Sequence, residues 1–156
     1  MNNEVFMRRA IELSRFAVEN NLGGPFGAVV VCDNKIVGEG YNTVTSNNDP
    51  TAHAEVNAIR DACKNLERFH LSDCVLYTSC EPCPMCLGAI YWAQISKMYY
   101  ANTRTDAASI NFNDDFIYNE FTLNINERSI PSFQIIASEA FDIFKEWSDK
   151  QDKTPY

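Results

Sequence analysis

Basic side chains are scarce in this sequence. Thirteen Lys and Arg stand against 21 Asp and Glu over 156 residues, a formal net charge of −8. Proteins that hold nucleic acid draw much of their affinity from Lys and Arg that displace counterions from phosphates, so no nucleic-acid partner is expected. The acidity is not a tail: residues 1–100 carry 8 basic and 11 acidic groups, residues 101–156 carry 5 and 10. Long apolar runs are lacking as well. The longest uncharged stretches, Asn20 to Cys32 and Pro82 to Ser96, fall short of the ~18 continuous apolar residues of a membrane span. No basic segment followed by an apolar one opens the chain at Met1-Asn2-Asn3-Glu4, which predicts no secretory signal, no membrane partner and a cytoplasmic location. Repeats, Ser/Gly linkers and biased segments are missing too, so residues 1–156 are expected to form a single domain. An aromatic content of 12% excludes low-complexity disorder.

What is present is a regular alternation of helix and strand signals. Phe6, Ala10, Leu13 and Ala17 follow the helical period and predict a helix from Asn3 to about Asn20, stopped by Gly23-Gly24-Pro25. Phe26 to Cys32 reads as a buried strand, joined by an Asp33-Asn34 turn to a second strand from Lys35 to Asn42. A polar loop over Thr43 to Asn48 leads to Asp49-Pro50, read as cap and first residue of a helix ending near Asn65. Cys74 to Thr78 and Lys97 to Ala101 read as strands flanking a helix from about Cys83 to Ala93. Such alternation predicts an α/β fold with a mixed central sheet whose second half is parallel. Further on, a short helix at Asp115 to Phe121, a strand at Phe133 to Ala137, a helix from Ser138 to Lys150 and an extended tail are expected.

Six cysteines without a signal segment point to thiols in a reducing compartment rather than to disulfides. Cys32, Cys63 and Cys74 lie among apolar neighbours and read as core. Cys80, Cys83 and Cys86 recur at intervals of three. Cysteines three apart in the first turn of a helix share a face, and the positive helix end favours their thiolates. With His53-Ala54-Glu55 upstream, the set is H-x-E followed by P-C-x-x-C. His53, Cys83 and Cys86 are therefore candidate Zn2+ ligands, one ion per subunit. Three protein ligands leave a fourth position for water, as in catalytic zinc sites, and Glu55 is the candidate base beside it. That role requires His53 and Glu55 at the open first turn of a helix, because residues two apart do not share a face in mid-helix. The same ligand types also suit a closed structural site with Cys80 as fourth ligand, a zinc module without catalysis. Cys80 precedes the turn at Pro82, however, and is expected to project away as a small buried thiol.

At these residues the sequence resembles the zinc-dependent cytidine and deoxycytidylate deaminase superfamily, whose signature this is. The resemblance spans nearly the whole chain, including Gly24-Pro25-Phe26-Gly27-Ala28-Val29, Thr51-Ala52-His53-Ala54-Glu55 and Cys80-Glu81-Pro82-Cys83-Pro84-Met85-Cys86. Ser46-Asn47-Asn48-Asp49-Pro50, Ala89-Ile90-Tyr91-Trp92-Ala93, Asp114-Asp115-Phe116-Ile117-Tyr118 and the terminal Tyr156 are similar to the bacterial guanine deaminases within it. The resemblance implies a three-layer α/β/α cytidine-deaminase-like fold. It also implies hydrolysis of guanine to xanthine and ammonia by a zinc-activated water, with Glu55 shuttling protons. Carried over by position, Phe26 lies under the purine, Asn42 and the Ala54 backbone beside it, and Asp114 near the amine. A homodimer with an exchanged C-terminal segment would bring in Tyr156. By chemistry alone Phe26 reads more often as core, Asn42 more often as a turn residue, Asp114 or Asp115 ordinarily as a helix cap and Tyr156 as a frayed end. Tyr91 and Trp92 read as packing, and His70 has no motif around it.

The zinc chemistry would serve equally a tRNA adenosine deaminase, which shares the motif, or a deaminase of cytosine or free nucleosides. A tRNA stem-loop calls for a basic surface around the pocket, and the acidic balance runs the other way.

Overall fold

The computed structural model describes residues 3–156. Asp33 and Asn34 both take left-handed backbone, φ 48° and 61°, the pair that a two-residue I′ turn requires and that Asp and Asn tolerate. They join β1 (Gly27–Cys32) to β2 (Lys35–Tyr41) in the predicted antiparallel hairpin. On its other edge β1 pairs antiparallel with β3 (Cys74–Cys80), setting Ala28 opposite Thr78 and Cys32 opposite Cys74. β4 (Lys97–Asn102) runs parallel to β3, which gives a mixed sheet of order β2-β1-β3-β4. Parallel neighbours need a crossover, and helix α4 (Pro84–Trp92) supplies it.

Alternate strand residues point to opposite faces. Ala28, Val30 and Leu76 meet Ala54, Ala58 and Ala62 of α3 (Ala54–Leu66) and Ile90 of α4. Val29, Val31 and Tyr77 turn the other way, onto Leu13 and Phe6 of α1 (Asn3–Glu19). The result is the expected α/β/α sandwich. Helix α3 lies unusually close to β2, because a Cβ on Gly40 would stand 2.2 Å from the Ala54 carbonyl oxygen. Only a glycine opposite small residues permits that approach, and it fixes the end of the helix from which His53 and Glu55 project.

Two boundaries differ from expectation. Residues 43–48 are not all loop, since Val44–Asn47 form a single helical turn, α2. Asp49-Pro50 does not start a helix: Asp49 Oδ1 accepts from the Thr51 amide at 2.8 Å and its hydroxyl at 2.7 Å, closing a local turn. The helix starts at Ala54 instead, with His53 as its N-cap. Helix α5 (Arg104–Ser109), unforeseen, is held by a reciprocal capping box between Thr103 and Asp106.

The chain divides into two compact units, one running to Asp115 and one spanning Phe116–Tyr156. Helix α6 (Asp115–Thr122) starts at the boundary, and α7 (Ala137–Asp149) follows a 3-10 turn at Ile125–Glu127. The strand predicted over Phe133 to Ala137 does not form, and residues 131–136 take no regular structure. Among the described residues the second unit has no strand to pair with, and an unpaired strand leaves its backbone groups unsatisfied. No helix among the described residues is long and apolar enough to cross a membrane.

Candidate metal centre

Two helix N-termini supply the centre. His53 caps α3 with extended backbone (φ −73°, ψ 157°), and Cys83 caps α4 in nearly the same conformation (φ −67°, ψ 168°). Pro84 at the first helical position has no N–H to lose and presets the helical φ, so Cys86 falls one turn on, on the same side as Cys83. His53 Nδ1 lies 3.5 Å from Cys83 Sγ and 3.4 Å from Cys86 Sγ. A tetrahedral ion with bonds of about 2.0 to 2.3 Å separates its ligands by roughly 3.5 Å, so the three donors are spaced to share one cation. Cys80 lies outside the cluster, its Sγ 3.6 Å from the Thr103 carbonyl oxygen and its thiol pushed up to about 11, chiefly by burial. It is the small buried thiol that its place before the turn predicts.

Glu55, in the first turn of α3, is 6% exposed. Cys86 Sγ donates to its Oε2 at 3.3 Å, and Thr78 Oγ1 to its Oε1 at 3.3 Å. Burial holds the Glu55 carboxyl above its usual range. The Cys83 thiol is drawn down to about 4, first by the hydrogen bond from Cys86 and, against burial, by His53. Cys86 is pushed up by the same bond, by burial and by Glu55. His53 is raised, mainly by its bond to Cys83. Two sulfurs and a carboxylate thus compete for negative charge in one enclosed space, a donor set that suits a divalent cation taking thiolates and imidazole.

The other predicted residues of the first unit gather at the same end of the sheet. The Phe26 carbonyl accepts from the Asn42 amide at 3.0 Å. Asn42 is buried, and its Oδ1 accepts from the amides of Gly24 (3.2 Å) and Val44 (3.1 Å), which orients the side-chain NH2 away from both. Ala54 is the first helical residue of α3 and fully buried; its amide is among those a helix start leaves without an intrahelical acceptor. Asp114 is raised by burial and senses the charge of Cys83. Tyr156 belongs to the second unit.

Three residues went unnoticed in the sequence. Thr78, from the middle of β3, contacts Glu55. Phe112 sets its ring edge-on to Phe26, centroids 4.9 Å apart and planes at 89°. Asn57 Nδ2 donates to the Tyr41 carbonyl (2.9 Å), Thr43 Oγ1 (3.1 Å) and the Ala52 carbonyl (3.3 Å), pinning the turn that leads into His53. Only Asn57 carried a signal, as a polar side chain one helical turn beyond His53.

Residues 1–102 match the family described as the cytidine and deoxycytidylate deaminase zinc-binding region. Over 156 residues the chain is 53% identical to the guanine deaminase of Bacillus subtilis (strain 168), covering 100% of both proteins. It is similar to the X-ray structure of guanine deaminase from Bacillus subtilis with a TM-score of 0.97 and 52% identity, covering 100% of this chain and 99% of that one. It is also 39% identical over 101 residues to a tRNA-specific adenosine deaminase of Buchnera aphidicola subsp. Schizaphis graminum, covering 65% of this chain and 66% of that protein.

Proposed function

The chain belongs to the cytidine and deoxycytidylate deaminase zinc-binding family, and from that premise we infer that it is an enzyme that hydrolyses guanine to xanthine and ammonia. The observation that carries this reading is the full-length likeness to a guanine deaminase, joined to a Glu55 carboxyl 3.3 Å from one of three converging metal donors. The tRNA-specific adenosine deaminase of Buchnera aphidicola is 39% identical over 101 residues, against 53% over 156 for the guanine deaminase.

His53, Cys83 and Cys86 hold one Zn2+ per subunit. Bound there, the ion supplies Lewis-acid activation of a water molecule. Glu55 accepts a proton from the attacking water at its carboxylate and delivers it to the ring nitrogen next to C2 of guanine. A second transfer through Glu55 protonates the exocyclic amine, which leaves as ammonia. One water is consumed and the C2–N bond is exchanged for C2–O. Phe26, braced by Phe112, lies under the purine. The Asn42 NH2 and the Ala54 amide donate to acceptors of the base, and Asp114 accepts from the amine.

The assembly we propose is a homodimer that exchanges its C-terminal segments, so that each chain 1–156 forms one deaminase domain and Tyr156 completes a partner's pocket. Apolar side chains in the second unit support it: Phe133 is 85%, Ile135 77% and Phe144 71% exposed, an arrangement that rarely stays uncovered. Six free cysteines suit a cytoplasmic setting, with guanine breakdown as the metabolic role.

The test is a panel assay of ammonia release from guanine, guanosine, adenine, cytosine, cytidine and a tRNA anticodon stem-loop. Guanine is expected to exceed every other substrate by at least tenfold. Faster turnover of the stem-loop or of guanosine sinks the free-base reading. Light scattering of the purified protein should give twice the chain mass, and a monomer would remove the assembly.

A further inference from the structure

A second cluster of sulfur lies at the other end of the sheet. Cys32 ends β1 and Cys74 begins β3, and the two are direct partners in the antiparallel register. Cys80 lies six positions along β3 from Cys74, roughly 20 Å of strand between this pole and the end that faces the metal donors. Cys32 is half-buried and Cys74 buried. Their sulfurs and a carboxylate oxygen of Asp73 all lie within 4.8 Å of one another.

Arg68 closes over this group. Its Nη2 pairs with Asp73 and lies 3.6 Å from Cys74 Sγ and 4.0 Å from Cys32 Sγ. Its buried Nε has no hydrogen-bond partner, so Asp73 alone does not satisfy the guanidinium and a second anion beside it is favoured. The same guanidinium argues against a cation site, because it touches all three donors that an ion would use.

We propose that Cys32 and Cys74 are a reversible dithiol–disulfide pair, oxidised by low-molecular-weight disulfides such as oxidised glutathione. Directly opposed residues of an antiparallel pair have Cα atoms about 4.5 to 5.5 Å apart, inside the ~4.4 to 6.8 Å range that disulfides span. Cys32 is the less buried of the two thiols and attacks first, as its thiolate, with the Arg68 guanidinium 4.0 Å from its sulfur. It forms a bond to one sulfur of the small disulfide and expels the other half as a thiolate. The Cys74 thiol is pushed up to about 12, first by burial and then by Cys32, which suits a resolving rather than an attacking role. It then attacks Cys32 Sγ and expels the second small thiolate. The two protons of the protein thiols end on the two released thiols. Two electrons pass from the cysteines to the small disulfide, and excess reduced thiol runs the steps backwards. The bond closes a loop over residues 33–73, which carry His53 and Glu55, while the metal donors keep their own sulfurs.

The experiment treats the zinc-loaded full-length protein with oxidised glutathione, blocks remaining thiols and maps unreduced peptides by mass spectrometry. A peptide linking Cys32 to Cys74, two hydrogens lighter than its parts and lost on adding reduced glutathione, is expected, with guanine turnover within twofold of untreated protein. Cys74→Ser should instead trap glutathione on Cys32, and Cys32→Ser should leave Cys74 unmodified. A stable glutathione adduct on Cys32 of the unsubstituted chain, or no linked peptide at all, overturns the proposal. So does a second zinc ion per chain that Cys32→Ser abolishes, because a cation would then be the occupant. If either variant misfolds, the peptide map of the unsubstituted chain still decides.

Discussion

Thr78 Oγ1 stands 3.3 Å from Glu55 Oε1 and 3.0 Å from the carbonyl oxygen of Cys80. A hydroxyl has one proton, so Thr78 donates to one of them at a time, and it can accept from a protonated Glu55 while its own O–H is donated to the Cys80 carbonyl. It is thus matched to the proposed role of Glu55, a carboxyl that would gain and lose a proton in each cycle. Thr78→Val keeps the shape and leaves a buried carboxyl oxygen unpartnered, a cost of about 1 to 3 kcal/mol. We expect kcat to fall roughly tenfold with KM little changed, and Thr78→Ser to restore it. Steady-state kinetics of the three proteins checks this, and equal kcat for the valine variant refutes it.

Glu55→Gln preserves size and hydrogen bonding but cannot carry a proton. Turnover of guanine should fall by about 10² to 10⁴, while metal content and unfolding temperature stay near those of the parent. A variant that retains full activity would assign the proton shuttle to another group.

Removal of a sulfur donor has a different signature. Cys86→Ala is expected to lose bound zinc, read by atomic emission, together with activity and thermal stability, since bound metal stabilises the folded state by mass action. A variant that retains stoichiometric zinc would show that Cys86 is no ligand.

Phe112 packs edge-on against Phe26, the ring proposed to lie under the purine. Edge-to-face aromatic pairs contribute about 0.5 to 1.5 kcal/mol, so Phe112→Ala should raise KM for guanine by up to about tenfold through a loosened Phe26 ring. The comparison with Phe112→Leu, by kinetics and by thermal unfolding, separates this from a general loss of packing.

Two glycines make opposite predictions from geometry alone. Gly40→Ala drives a Cβ to 2.2 Å from the Ala54 carbonyl and 2.4 Å from the Ala58 amide, both backbone atoms that cannot step aside. We expect about 1 to 3 kcal/mol of destabilisation, seen as a lower urea midpoint. A Cβ on Gly88, inside α4, meets nothing within 4 Å, and Gly88→Ala should be neutral or up to about 1 kcal/mol stabilising.

Much of this was legible in the sequence because the signals are local. Asp33-Asn34 specified its own turn, and the Cys83, Pro84 and Cys86 spacing specified a donor pair at a helix start. The start of α3 was misplaced because Asp49 caps a local turn with the same carboxylate chemistry that caps a helix. Phe133 to Ala137 has strand-like composition, but a strand exists only where a neighbour pairs with it. Thr78 and Phe112 carry no local mark, since each acquires its role from a partner more than twenty residues away. Cys32 and Cys74 read singly as core thiols; only the register of β1 on β3 makes them a pair.

The residues at the starts of α3 and α4 carry one more consequence. Serine, aspartate or asparagine in these two seats would tie down the first turn, at a gain of roughly 1 kcal/mol each over a residue that does not cap. Here the seats go to His53 and Cys83, and the imidazole makes no capping bond to its own helix. The chain has given up local anchorage at both helix ends that carry the candidate metal donors. A protein stripped of its ion should therefore loosen first at these two turns, and amide exchange there should reveal loading before any assay of turnover does.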